Sequence, residues 1–166
     1  MRRLILVRHA KSSWDDPSLP DIERPLAKRG RRGAALVGAW LAREGYRPDA
    51  AFVSSSRRTR ETWDVLADAL GPVPARNLPD LYEAGAETML AVLRAAPDVR
   101  CLLMLGHQPG IGAFARQLLA DPPDAPAFER FVTAATAVID FDIGAWEEAA
   151  WQSGRLRAFT YPKALQ

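Results

Sequence analysis

Residues 101–119 run Cys-Leu-Leu-Met-Leu-Gly-His-Gln-Pro-Gly-Ile-Gly-Ala-Phe-Ala-Arg-Gln-Leu-Leu. Cys101–Leu105 is an unbroken apolar run, the pattern of a strand covered on both faces. Gly106-His107-Gln108-Pro109-Gly110 ends it with turn-forming residues. Ile111, Phe114, Ala115, Leu118 and Leu119 then recur on one face at helical spacing. A buried strand, a polar turn and an amphipathic helix make one βα unit. A strand that is apolar throughout belongs to a parallel sheet flanked by helices.

The rest of the chain repeats this pattern. Leu4–Val7 reads as a strand, and a helix follows from about Arg31 to Glu44, with Val37, Trp40 and Leu41 on one face and Gly45 at its end. Ala50–Val53 is a second strand. Thr62, Val65, Leu66, Ala69 and Leu70 keep helical spacing up to Gly71, and Met89, Leu90 and Leu93 mark a further helix. Ala137–Phe141 and Arg155–Tyr161 read as two strands around a turn between Gly144 and Gly154. Proline clusters near residues 17–25, 72–79 and 122–126 read as loops inside one domain spanning 1–166. Strands alternating with helices predict an α/β fold with a mostly parallel sheet.

Composition sets the bounds. The 166 residues suit about one domain, and a chain of this size buries roughly 68–70% of its unfolded surface. Apolar residues at 48% and charged residues at 25% exclude a disordered chain, a collagen and a coiled coil. With 22 basic and 20 acidic residues, the net charge of +2 is too balanced for binding to nucleic acid or membrane driven by bulk charge. The single cysteine, Cys101, allows no intrachain disulfide and fits a reducing compartment. Near the N-terminus only four apolar residues separate Arg3 from Arg8, whereas a secretory signal needs about 7–15. The expectation is a cytoplasmic protein.

In parallel α/β sheets, ligands bind beyond the carboxyl ends of the strands. Three such ends carry Arg8-His9, Ser54-Ser55-Ser56-Arg57-Arg58-Thr59 and Gly106-His107-Gln108-Pro109-Gly110. The chain has only two histidines, and both sit there. Imidazoles, guanidiniums and two helix N-termini converging on one crevice suit a phosphoryl group, with a histidine available as nucleophile. Either histidine alone would read more readily as a surface or satisfied core residue. A zinc site would need a third ligand; Cys101 reads as core, and no HxxxH or CxxC spacing exists. No metal and no cofactor are expected.

These segments resemble the histidine phosphatase (phosphoglycerate mutase-like) superfamily. Leu6-Val7-Arg8-His9-Ala10 is similar to its RHG-type signature. Arg8-His9-Ala10-Lys11-Ser12-Ser13-Trp14, followed by Arg24-Pro25-Leu26 and Arg29-Gly30, resembles the small phosphohistidine phosphatase branch. Ser54 to Thr62 resembles the segment S-x-x-x-R-x-x-x-T, which puts the family arginine at Arg58 rather than Arg57. Leu105 to Gly110 resembles GHNPG, and Trp146 with Tyr161-Pro162-Lys163 is similar to the closing segment. Ala10, Ser55 and Gln108 depart from the frequent glycine, proline and asparagine without removing a charged group.

The resemblance implies a three-layer α/β sandwich with a mostly parallel central sheet of about six strands. It also implies that His9 accepts the phosphoryl group, with Arg8, Arg58 and His107 as cationic partners for its oxygens. Arg24 and Ser12 are implied substrate-binding residues. Leu81-Tyr82-Glu83 resembles the L-x-E segment that carries the general acid of larger members, so Glu83 is either that acid or a solvated loop carboxylate. The basic run Arg24, Lys28, Arg29, Arg31, Arg32 reads as a solvated helix start, as a rim attracting an acidic or phosphorylated substrate, or as a nucleic-acid contact, in that order. Trp14 and Trp63 are open between rim and core. The implied partner is a phosphorylated substrate, first of all phosphohistidine in a protein, with no nucleic acid and no membrane. The alternatives are a small-molecule phosphomonoesterase and a non-catalytic phospho-ligand module; a mutase fits less well, because the short chain has no insertion to cover the site.

Overall fold

A computed structural model describes residues 1–166. Six strands form one sheet: β1 (Arg2–Arg8), β2 (Ala50–Ser54), β3 (Ala75–Leu78), β4 (Cys101–Gly106), β5 (Thr136–Phe141) and β6 (Arg155–Thr160). Their order is β3-β2-β4-β1-β5-β6. The first four in that order are mutually parallel, whereas β5 runs antiparallel to β1 and β6 antiparallel to β5. The helices are α1 (Lys28–Arg43), α2 (Arg57–Leu70), α3 (Ala86–Arg94), α4 (Gly110–Leu118) and α5 (Pro126–Arg130).

β1 shows why its apolar run is unbroken. Leu4 and Leu6 enter a core with Leu102, Met104, Met89, Leu93, Ile111 and Phe114, which covers one face with α3 and α4. Ile5 and Val7 enter a second core with Leu103, Leu105, Val37, Leu41, Trp63 and Leu66, which covers the other with α1 and α2. All four β1 residues are fully buried. Successive side chains of a strand point to opposite faces, so a sheet between two helical layers needs apolar residues at every position. Trp63 is core, and Trp14 is 70% exposed.

Two segments expected to be loops hold structure. β3, Ala-Arg-Asn-Leu, lies in the second proline cluster. It is an edge strand with mostly exposed side chains, defined by backbone pairing to β2 rather than by burial, so it has no apolar signature. α5 is a short helix that starts on Pro126, a residue favoured at the first helical position. α1 begins at Lys28, earlier than Arg31, although basic residues oppose the helix dipole there. Its first turn packs so closely on the loop after β1 that any Cβ at Gly30 would collide with the Lys11 carbonyl. No helix is long and apolar enough to cross a membrane.

Candidate active site

β1, β4 and β2 are neighbours at the centre of the sheet, and their carboxyl ends bring His9, His107 and Arg58 together. His9 is buried. Its N–H bonds Gly106 O at 3.1 Å, and its carbonyl accepts from Ala134 N at 3.0 Å. The ring nitrogen Nδ1 lies 2.7 Å from Ala10 O. A carbonyl can only accept, so Nδ1 carries the proton and Nε2 keeps its lone pair. Burial, with the neighbouring charges of His107, Arg8 and Arg58, pushes the His9 imidazole down to about 3.

The His107 ring is 5.4 Å from that of His9, centroid to centroid. Its Nε2 is 2.7 Å from Ser54 Oγ, and Arg58 Nη2 is 3.4 Å from its Nδ1. A guanidinium only donates, so Nδ1 accepts and the Nε2 proton goes to Ser54. Burial first, and then the Arg58 charge, pushes His107 down to about 4. His107 is therefore a neutral group at pH 7, where the sequence had suggested a third cation; the two arginines supply the fixed positive charge.

α2 aims Arg58. Ser56 caps the helix by accepting from Thr59 N. Thr62 Oγ1 donates to Arg58 O at 2.8 Å and accepts from Ala10 N at 3.1 Å, tying α2 to the residue after His9. Arg58 is buried and faces His107, whereas Arg57 is half-buried and pairs with Glu61. Arg8 spends Nη1 on Phe131 O at 3.1 Å, and its buried Nε has no partner. Burial and the nearby Arg58 charge lower the Arg8 pKa. The site thus concentrates positive charge beside a neutral imidazole lone pair and holds a buried donor in reserve, a setting that accommodates a phosphoryl dianion.

Two residues absent from the sequence-based expectation also stand here. Asp21 accepts from Arg58 Nη2 at 2.9 Å and from Arg24 Nη1 at 3.1 Å, while its carbonyl accepts from Arg58 Nη1 at 2.7 Å. Tyr82 packs edge-on against His107 and donates its hydroxyl to Asp21. The Tyr82 hydroxyl, followed by Arg58 and Arg24, holds the Asp21 carboxyl at about 2. Burial and the Asp21 charge push Tyr82 up to about 12. The Asp21–Arg24 spacing and the tyrosine beside Glu83 were the only signals in the sequence.

The remaining expected residues lie around this centre. Arg24 donates from Nε to Ser13 O at 3.2 Å, from Nη1 to Asp21 and from Nη2 to Ser12 Oγ, and its guanidinium stacks 3.3 Å from the Trp14 ring centroid. Arg24 and Ser12 thus bind each other and brace the rim. Glu83 is exposed, has φ 57°, and makes no hydrogen bond or ion pair through its carboxylate. Gln108 reaches Gly112 N at 2.7 Å and Arg130 O at 2.8 Å, so its longer amide holds the start of α4. Cys101 is half-buried at the opposite end of β4 from His107.

Folding stability should record the two neutral histidines. Their ordinary value is 6.5 and their folded values are about 3 and about 4. Between those limits the unfolded chain binds protons that the folded chain refuses, so stability is full above 6.5 and is lost as pH falls. Acidification from pH 7 to 4 is expected to cost roughly 1.4 kcal/mol per histidine for each pH unit below the unfolded value. Thermal unfolding across that range checks it, with His107→Gln flattening the slope; an unchanged Tm in the wild type would show that the imidazoles protonate freely in the fold.

Residues 4–89 match the model of the histidine phosphatase superfamily (branch 1). An uncharacterized chloroplastic protein of Arabidopsis thaliana is 33% identical over 92% of this chain and 72% of its own length. An uncharacterized protein of Mycobacterium tuberculosis is 35% identical over 95% of this chain and 100% of its own length. Among solved structures, the protein histidine phosphatase SixA complexed with tungstate superposes with a TM-score of 0.82 at 25% identity, covering 99% of each chain. A Nakamurella multipartitia protein provisionally described as phosphohistidine phosphatase SixA gives 0.80 at 30% identity, covering 97% of this chain and 96% of the other.

Proposed function

We propose that this chain, which belongs to the histidine phosphatase superfamily, hydrolyses phosphohistidine in a protein substrate through a covalent intermediate on His9. His9 Nε2 attacks phosphorus, the bond from phosphorus to the leaving nitrogen breaks, and the substrate imidazole, protonated by solvent on its other ring nitrogen, departs with the electron pair as the neutral ring. Water then attacks phosphorus, the bond to Nε2 breaks, and inorganic phosphate leaves with the proton balance carried by water. Arg8 and Arg58 hold the equatorial oxygens, and His107, once the dianion draws a proton from solvent onto its Nδ1, keeps that proton and hydrogen-bonds an oxygen with it. Such loose transfer depends on positioning and charge rather than on covalent work by the protein.

The observation that favours phosphohistidine is the state of the carboxyl group at the site. Asp21 is held at about 2 by its donors and is ionised at neutral pH. Tyr82, at about 12, is a weak acid. Glu83, in the segment that resembles the one carrying the general acid of larger members, is exposed beside them. An alkoxide leaving group needs a proton in the transition state, whereas imidazole, with a conjugate acid near ~6.5, needs far less help. The solved relative described as a protein histidine phosphatase supports the same substrate class.

The test compares phosphohistidine peptide, p-nitrophenyl phosphate and an alkyl phosphate in wild type and Glu83→Gln. The wild type is expected to prefer the first two, and the substitution to change none of them by more than about 3-fold, against the ~10²–10⁴-fold cost of removing a true general acid. High wild-type activity on the alkyl phosphate, lost in Glu83→Gln, would instead make the protein a small-molecule phosphomonoesterase.

A further inference from the structure

A cavity of about 630 Å³ lies against the segments that flank His9, while Arg8, His9, Arg58 and His107 themselves do not line it. Its walls come from the loop after β1, the first turns of α1, the segment entering β5 and the chain just after β6. It therefore lies on the β5–β6 side of β1, whereas His107 and Arg58 come from the β4–β2 side. Two wall residues are shared with the nucleophile's setting: Ala10, whose carbonyl holds His9 Nδ1, and Ala134, whose N–H holds the His9 carbonyl.

Lys11, Arg29, Arg32, Arg130 and Lys163 line this cavity, and no aspartate or glutamate does. None of the five makes an ion pair, although their basic neighbours do: Arg24 and Arg58 pair with Asp21, and Arg31 and Arg57 with Glu61. In a chain whose net charge is only +2, this is a local concentration of unpaired positive charge. Arg29 stands in the first turn of α1, which holds no acidic residue and where the helix dipole is positive, so a nearby anion relieves the unfavourable placement of its charge. The fold keeps the cations in place: Gly33 lets α1 close on Pro162, and Gln108 bonds the Arg130 carbonyl to the His107 loop.

We propose that this cavity docks an acidic segment of the phosphorylated protein whose phosphoryl group His9 accepts, an inference that rests on the protein-phosphohistidine reading above. All five cations are exposed, they stand on four separate segments, and none is buried against one fixed oxygen position. Leu36, Val132 and Tyr161 add apolar wall between them. Spread, flexible positive charge around an apolar wall suits several carboxylates along a chain better than one stoichiometric phosphate. Exposed charges of this kind act over a Debye length of about 10 Å at 0.1 M salt, so they also steer the encounter.

Fluorescence anisotropy with two labelled synthetic peptides tests it, each with one central histidine, one flanked by glutamates and the other by glutamines. The acidic peptide is expected to bind wild type at least ~10-fold tighter at low salt, an advantage that shrinks as salt rises. Arg32→Glu with Lys163→Glu should abolish that advantage. Arg155→Glu with Arg157→Glu, an equal charge change at exposed positions of β6, should weaken binding by less than ~3-fold. Equal binding of the two peptides, equal losses in the two double variants, or tighter competition by oligothymidylate than by the acidic peptide would each overturn the docking site. Phosphate release from the same peptides after histidine phosphorylation is read separately. If neither releases phosphate while p-nitrophenyl phosphate is turned over, the phosphohistidine reading fails, and the anisotropy comparison still decides whether the cavity takes an acidic segment.

Discussion

Replacing His9 by alanine is expected to reduce phosphate release by roughly 10⁴-fold or more, the scale of losing a nucleophile whose partners cannot act without it. The geometry gives the reason. His9 is held at both backbone groups and at Nδ1, so a single nitrogen, Nε2, presents a lone pair. With its pKa near 3, the imidazole needs no deprotonation at neutral pH. Wild-type protein quenched in mid-reaction should carry acid-labile, base-stable phosphate on His9, and none on His107, whose Nε2 proton is committed to Ser54. The alanine variant must first be shown to fold, by circular dichroism and thermal unfolding. A folded His9→Ala protein with ordinary turnover would sink the covalent mechanism, and label on His107 would reverse the two roles.

The sheet was legible where physics writes it into side chains. Leu4–Val7 and Cys101–Leu105 are apolar at every position because each is covered by helices on both faces. Both histidines could be placed because strand ends in such a sheet converge on one crevice. β3 was not legible, because an edge strand with exposed side chains is specified by hydrogen bonds to its neighbour. The α1 start was obscured by basic residues that a helix N-terminus disfavours.

The site divides in the same way. Arg8, His9, Arg58 and His107 announce themselves by type and position. Asp21 and Tyr82 do not, because their meaning lies in contacts across long stretches of chain: Asp21 reaches Arg58 37 residues on, and Tyr82 reaches back 61 residues to Asp21. Charge state was also beyond reach. His107 is neutral because it is buried beside Arg58, a property of the assembled crevice rather than of the segment Gly106–Gly110.

The second large effect is expected at Arg58. Arg58→Ala should lower kcat/KM by at least ~10²-fold, about 2.7 kcal/mol of transition-state stabilisation, the scale of removing one preorganised donor. Arg57→Ala should stay within about 3-fold, because one residue's step along a helix turns the side chain by ~100°. Arg57 accordingly points to Glu61 rather than to His107. Asp21 separates holding from reacting. It touches Arg58 through its carboxylate and its carbonyl and makes no contact with His9, so it is a positioning residue. Asp21→Asn should lower kcat/KM by less than Arg58→Ala does, and the double variant should be no worse than Arg58→Ala alone, since a residue acting through another shows strong coupling in a double-mutant cycle. Additive losses would give Asp21 a contact with substrate of its own. An essential Arg57 beside a dispensable Arg58 would show that the first turn of α2 is rotated from the arrangement described, and the phosphoryl clamp would have to be rebuilt from the other guanidinium.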